Sequence, residues 1–244
     1  MNLIKLSATD STNTFLSELA RDSDLHSPTV ILTDNQTAGR GQRGNDWYSE
    51  PGKSLAMSVY IKPKMLLAKD QFYLSMLVSL SVKEVLKDFG VPQVSVKWPN
   101  DILSRSKKLA GILIENTVKQ DKIASSIIGV GVNVNTKPVK TLPKLGSMYS
   151  QINKEFEVEE VAMAILDHLL AKIDDFSSED YTELKHHYEQ QLFRKDKVAS
   201  FVDKDQQLFS GIIRGVTNVG QLKVETSLDN SIKLYWPKEI SLMY

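Results

Sequence analysis

The sequence predicts an α+β fold, a mixed β-sheet flanked by helices over residues 1–193, followed by a small β-barrel over residues 194–244. Three observations lead there. Apolar runs of strand length in the middle of the chain are joined by short polar turns, which makes that region a sheet of hairpins. Long stretches with apolar residues at helical spacing lie on both sides of it. Beyond Arg194 the pattern changes to five short strands punctuated by Asp-Lys-Asp-Gln, Asn-Val-Gly and Asp-Asn turns.

Taken in order, Asp10-Ser11-Thr12 is an N-cap leading into a short helix whose apolar face is Phe15, Leu16, Leu19 and Ala20. Thr29 to Thr33 reads as a buried strand. From Asp34 to Gly52 there is neither a helical nor an alternating period, so this stretch is a long loop, and loops of that length tend to be functional. Ser54 to Ile61 is a strand. Asp70 to Phe89 is a helix on the spacing of Leu74, Leu77, Val78, Ser81, Val85 and Leu86, and Gly90 stops it. Val94 to Lys97, Leu109 to Glu115 and Ile123 to Asn135 are strands; a Pro-Asn-Asp turn and a polar Ser104 to Lys107 tip separate the first two. Val158 to Phe176 and Ser178 to Leu192 are amphipathic helices. The barrel strands are Lys197 to Val202, Leu208 to Val216, Leu222 to Thr226, Ile232 to Trp236 and Ile240 to Leu242.

Composition narrows the function. Among 244 residues, 30 Lys+Arg balance 30 Asp+Glu, so the bulk charge asks for neither nucleic acid nor an anionic membrane, and any basic site is local. The absence of cysteine removes thiolate metal sites and thioester mechanisms. The first residues, Met1-Asn2-Leu3-Ile4-Lys5, lack the apolar run of a signal peptide, and a soluble cytoplasmic protein is expected.

Four segments carry candidate chemistry. Gly39-Arg40-Gly41-Gln42-Arg43-Gly44 matches G-x-G-x-x-G, but no helix opens inside it, so a dinucleotide-binding turn is disfavoured. Two readings stand: an anion-binding loop armed with Arg40 and Arg43, or a solvated surface loop. Trp47 either covers a planar ligand or anchors the loop. Lys97-Trp98-Pro99-Asn100-Asp101 ends a strand in a sharp turn, and a hairpin would bring Lys97 and Lys108 to one end of the sheet. Two lysines and Asp101 beside an arginine loop suit a polyphosphate with its metal, Asp101 holding Mg²⁺ or its waters; the alternative is ordinary hairpin-tip charge at Lys107 and Lys108. Gly111 inside a strand marks a close ligand or a bulge. Gly129, Gly131, Asn133 and Asn135 fall on one strand face, with Asn133 either positioning a ligand or ending the strand. His26, His168, His186 and His187 have no metal-ligand spacing.

The order of these segments is more specific than any one of them. Ser11-Thr12-Asn13, Gln36-Thr37-Ala38-Gly39-Arg40-Gly41-Gln42-Arg43-Gly44 with Trp47, Lys97-Trp98-Pro99-Asn100-Asp101, Lys108-Leu109-Ala110-Gly111-Ile112-Leu113-Ile114-Glu115 and Gly129-Val130-Gly131-Val132-Asn133 together strongly resemble the biotin protein ligases over the whole chain. The resemblance implies a class II synthetase or biotin-lipoate ligase-like catalytic domain and a Src-homology-3-like C-terminal barrel. It implies ATP and Mg²⁺ as cofactors, biotin as substrate and a carboxylase's biotin carboxyl carrier domain as partner, and it leaves open both a monomer and a homodimer. No helix-turn-helix precedes Ser11, so DNA binding is not expected. Carried over, Ser11, Thr12, Asn13, Gln36, Gly39 and Gly111 would meet biotin, and Arg40, Gly41 and Gln42 its carboxylate and the phosphate. Arg40, Lys97, Lys108 and Asp101 would form the catalytic set, with Arg43, Trp47, Asn100 and Asn133 on the nucleotide side. Relatives often carry Arg where Gln42 and Asn45 stand, which points to a weaker loop. The closest rival is a lipoate ligase, whose acid lacks the ureido group that the polar Ser-Thr-Asn and Gln set suits. A non-catalytic vitamin-binding or DNA-binding regulator is the rival from another class; release of pyrophosphate separates it from a ligase.

Overall fold

The computed structural model describes every residue except Asn230, and Arg43 by its backbone only. A seven-stranded sheet is built from β1 (Asn2–Leu6), β2 (Thr29–Thr33), β3 (Ser54–Ile61), β4 (Val94–Lys97), β5 (Asp101–Ser104), β6 (Lys107–Lys119) and β7 (Lys122–Asn133). Its order is β1-β2-β3-β7-β6-β5-β4, with β1 and β2 parallel and every other pair antiparallel. The parallel pair is joined by α1 (Thr12–Asp22), whose N-cap is Ser11, accepting from the Thr14 backbone N–H. The helices α2 (Gln71–Asp88), α3 (Met148–Ile152), α4 (Val158–Asp174) and α5 (Tyr181–Gln190) complete the larger unit. No helix among the described residues is long and apolar enough to cross a membrane.

Strand alternation decides which face goes where. Val30 and Leu32 of β2, Leu55, Met57 and Val59 of β3, and Ile128, Val130 and Val132 of β7 join α2 and α4 in the main core, while Ile31, Tyr60 and Ile127 pack with Leu16 of α1 on the opposite face. Because α1 lies over β2, β3 and the early part of β7, where Ile127 meets Leu16, the rest of that face, from Gly129 of β7 across β6, is left for something other than a helix. Its residues there are small or polar: Gly129, Gly131 and Asn133 on β7, and Gly111 on β6, which pairs with Gly131. Of the expected one-face set, Gly129, Gly131 and Asn133 are present and form a hollow, whereas Asn135 lies beyond the end of the strand, its amide bonded to the Phe156 backbone.

The C-terminal strands are β8 (Val198–Asp203), β9 (Leu208–Val216), β10 (Leu222–Thr226), β11 (Ile232–Tyr235) and β12 (Ile240–Leu242), in the order β11-β10-β9-β8-β12. All five were expected. Closure into a barrel was also expected, but β11 and β12 are the two ends of this sheet, and among the described residues no strand ladder joins them. Phe201, Ile213, Val216 and Leu222 share the main core with α2, and Trp98 Nε1 donates to the Gly220 carbonyl at 2.9 Å, tying the two sheets together.

Three elements depart from the expected order. The parallel edge strand β1 and the five-residue α3 were not anticipated, and the Pro-Asn-Asp turn and the polar tip flank a further strand, β5, so that two hairpins replace one.

Tyr188 on α5 is wholly buried against Phe72, yet among the described residues its hydroxyl has no partner, and burial holds its ionisation far above the usual phenol range. An unsatisfied buried hydroxyl costs stability. Tyr188→Phe is therefore expected to stabilise the protein by about 1 kcal/mol, read as a higher urea midpoint at unchanged slope. A lower midpoint would mean that the hydroxyl is bonded.

Candidate functional site

The hollow on the β7–β6 face is a cavity of about 250 Å³. It is walled by the start of α1, by the Gln36 to Trp47 loop and by the β4–β5 turn, and Ile240 and Ser241 of the second sheet reach its rim. Of the residues singled out in the sequence, Ser11, Thr12, Asn13, Gln36, Arg40, Gly41, Gln42, Trp47, Lys97, Asn100, Asp101, Lys108 and Gly111 all line it. Asn133 lines an adjoining cleft with Trp47 and Lys108, and Gly39 sits behind the wall, where an added Cβ would lie 2.6 Å from Gln36 Nε2. The side chain of Arg43 lies outside the described residues.

One end of the cavity is a dense amide and hydroxyl network. Gln36 Oε1 accepts from the Thr12 backbone N–H at 3.0 Å and from its hydroxyl at 3.2 Å. Ser58 Oγ donates to Asn13 Oδ1 at 2.6 Å, and Asn13 Nδ2 donates to Glu115 Oε2 at 2.7 Å. Glu115 also receives Arg40 Nη2 at 3.3 Å, an ion pair with both partners partly exposed. Asn13 thus spends its amide on its neighbours and acts as a fixed wall. Ser58 and Glu115 were not singled out by sequence; the signal was a serine inside the apolar run Leu55 to Ile61 of β3 and a carboxylate at the inward-facing register of β6.

The other end is cationic. Asp101 Oδ1 takes Lys108 Nζ at 2.6 Å and Oδ2 takes Lys97 Nζ at 3.1 Å. The hairpins that β5 creates bring these lysines together, as the strand-end reading expected. Both carboxylate oxygens are occupied, and among the described residues no group of three or more His, Asp or Glu is placed to hold a metal. In this arrangement Asp101 is the counter-ion that spaces two ammonium groups.

Trp47 lies flat on the glycine floor between the two ends. A Cβ at Gly131 would come within 2.5 Å of Trp47 Cε2, and one at Gly111 within 2.9 Å of Cζ3, so only glycine admits the indole there. Lys108 Nζ stands 5.4 Å from the indole ring centre, within cation–π range. Among the described residues Trp47 Nε1 and Asn133 Oδ1 are buried without hydrogen-bond partners, one donor and one acceptor next to the same cleft. Tyr244 closes the far side, its ring 4.4 Å from Lys144 Nζ; burial, then the charge of Asp101, pushes its phenol up to about 12.

Comparison with known proteins gives a consistent set of similarities. The sequence profile of the Biotin/lipoate A/B protein ligase family matches residues 6–133. Bifunctional ligase/repressor BirA of Escherichia coli is 32% identical over 249 residues, covering 96% of this chain and 71% of that protein. Biotin--[acetyl-CoA-carboxylase] ligase of Mycobacterium tuberculosis is 34% identical over 144 residues, 57% of this chain and 52% of that protein. Among solved structures, the biotin protein ligase of Aquifex aeolicus in complex with biotin and ATP superposes with a TM-score of 0.80 at 27% identity, over 99% of this chain and 98% of that one.

Proposed function

The chain belongs to the biotin/lipoate A/B protein ligase family, and from that premise and the geometry of its cavity we propose how it works as a biotin–protein ligase. The enzyme activates biotin with ATP and transfers it to a protein lysine. In the first step a biotin carboxylate oxygen forms a bond to the α-phosphorus, the α–β bridging bond breaks, and pyrophosphate leaves with the electron pair. In the second, the lysine amine forms a C–N bond to the activated carbonyl and AMP departs.

One observation carries this reading: Lys108 Nζ stands where the polar end of the cavity meets the Trp47–Asn133 cleft, held by Asp101 and facing the indole. Two anions must meet in the first step, and fixed positive charge at their junction is what lowers that barrier. In our reading the Ser11, Thr12, Asn13, Gln36 and Ser58 network takes the ureido ring, with Gly129 admitting the Asn13 amide into that wall and Gly111 in the wall beneath Trp47. Arg40, Gly41 and Gln42 face the carboxylate and phosphate. Trp47 Nε1 and Asn133 Oδ1 offer a donor and an acceptor to the edge of a purine, with Asn100 nearby. Mg²⁺ accompanying the triphosphate would neutralise charge on the phosphates, and Asp101 would be the carboxylate beside it to hold the ion or its waters.

The partner in this reading is a biotin carboxyl carrier domain, and the five C-terminal strands, residues 194–244, are a Src-homology-3-like unit beside the catalytic domain, residues 1–193. Incubation with MgATP and either biotin or lipoate tests the assignment by mass spectrometry of the acyl-adenylate. Biotinyl-adenylate with pyrophosphate is the expected product. Lipoyl-adenylate in its place would transfer the assignment to a lipoate ligase, whose acid has no ureido group to satisfy the polar end.

A further inference from the structure

The sheet face opposite the catalytic hollow is covered by α2 and α4, and where these two meet α5 they leave a second cavity, of about 370 Å³. Among the described residues it shares no wall with the catalytic one. Leu77, Ser81 and Glu84 turn to it from α2, His168 and Lys172 from α4, and Glu183 and His187 from α5. Each set has the three- to four-residue spacing that places side chains in one stripe of a helix.

The cavity is graded in chemistry from floor to mouth. Leu77 and Leu80 are 5% and 6% exposed, and Phe176 and Leu184 extend this apolar wall. Ser81 lies on the same face of α2 at 1% exposure, and among the described residues its hydroxyl has no hydrogen-bond partner. A helical serine can bond the carbonyl four residues back, as Ser79 does with Ser75 at 2.7 Å; Ser81 leaves that bond unmade. His168 Nδ1, from α4, is buried in the same state. Buried polar groups without partners cost stability, and a ligand that supplies the missing group recovers it. The mouth is acidic: Asp175, Asp180 and Glu183 surround it, all exposed, against a single lysine, Lys172. Glu84 is already committed, to Lys83 Nζ at 2.9 Å.

We propose that this cavity is a binding site for a small organic cation, a hydroxylated arylalkylamine. Its hydroxyl meets Ser81 and His168, its ring lies on the apolar wall, and its ammonium faces the carboxylates of the mouth. A carboxylate ligand of the same shape is disfavoured, because it would meet three like charges there. Among the described residues no group of three or more His, Asp or Glu is placed to hold a metal, so the cation this mouth suits is organic. The site uses none of the residues assigned to adenylation and stands independently of the ligase reading.

Titration calorimetry of the full chain with tyramine tests this. Tyramine is expected to bind once per chain with a Kd of about 1 mM or tighter, the range open to a ligand of its size. Phenethylamine, the same molecule without the hydroxyl, should bind about three- to tenfold more weakly, the worth of one neutral hydrogen bond. Para-hydroxyphenylacetate, which keeps ring and hydroxyl but carries a carboxylate, should give no measurable binding over the same concentrations. Ser81→Ala removes the hydroxyl at a position where alanine is the best helix former. It should bring tyramine down to the affinity of phenethylamine and leave phenethylamine unchanged. Glu183→Lys, at the exposed mouth, should weaken both amines by about threefold or more through charge reversal. Absence of saturable tyramine binding, equal binding of para-hydroxyphenylacetate, or a preference for tyramine that survives Ser81→Ala would each overturn the site. If Ser81→Ala does not fold, Glu183→Lys decides, and unchanged affinity for both amines overturns it.

Discussion

Lys108→Ala is expected to slow adenylate formation by about a hundred- to a thousandfold, the usual loss when a preorganised group facing developing charge is removed. The fold should survive. Lys108 is partly exposed, and the Asp101 carboxylate it leaves keeps Lys97 as its partner at 3.1 Å, so no buried charge is orphaned. The two effects are separable: pyrophosphate release falls while the urea midpoint moves by less than about 1 kcal/mol, the usual worth of a partly exposed ion pair. Asp101→Ala reverses the balance. It leaves two ammonium groups facing one another without their counter-ion, and stability should fall together with activity. If Lys108→Ala releases pyrophosphate near the parent's rate, the lysine is only a hairpin charge and the junction of the two compartments is elsewhere.

Much of this site was legible because its residues sit at the ends of readable elements. Ser11 is marked as a cap by the apolar helix that follows, and Lys97 and Lys108 by the apolar strands they bound. Strands β2, β3, β9, β10 and β12 match their expected limits because turn residues or polar runs enclose each of them. What stayed hidden depends on partners distant in sequence. β1 is a strand because Leu3 and Lys5 pair in parallel with Val30 and Leu32, a register that no local pattern announces. β5 is four residues starting with the Asp101 of a turn, too short for a period to show. Glu115 closes on Asn13 across 102 positions, so its role as a brace for both Asn13 and Arg40 exists only in the folded chain. Occupation of Asp101 by both lysines follows from two hairpins whose registers meet, where the sequence alone gave equal room to a metal.

Two glycines a pleat apart should divide the site between its substrates. A Cβ at Gly129 would collide with Asn13 Oδ1 and lie 3.0 Å from its Cγ. Asn13 is 3% exposed and pinned by Ser58 and Glu115, so it has little freedom to retreat without giving up those bonds. Gly129→Ala is therefore expected to raise KM for biotin by about ten- to a hundredfold, the worth of one to two buried hydrogen bonds, with KM for ATP much less changed. At Gly131 the same methyl group meets the indole, 2.5 Å from Trp47 Cε2 and 2.7 Å from Cζ2. Gly131→Ala should push Trp47 off the floor, and with it the loop whose Trp47 backbone N–H donates to Gly39 at 2.9 Å and whose Gly41 N–H donates to Asn45 at 2.7 Å. Here the loss should fall on KM for ATP, accompanied by faster proteolysis within the Gly39 to Trp47 loop, because the segment loses its main apolar anchor. The contrast is the test. If both variants raise the same KM, the glycine floor serves one ligand only, and the division of the cavity into a ureido end and a nucleotide end at Lys108 is wrong.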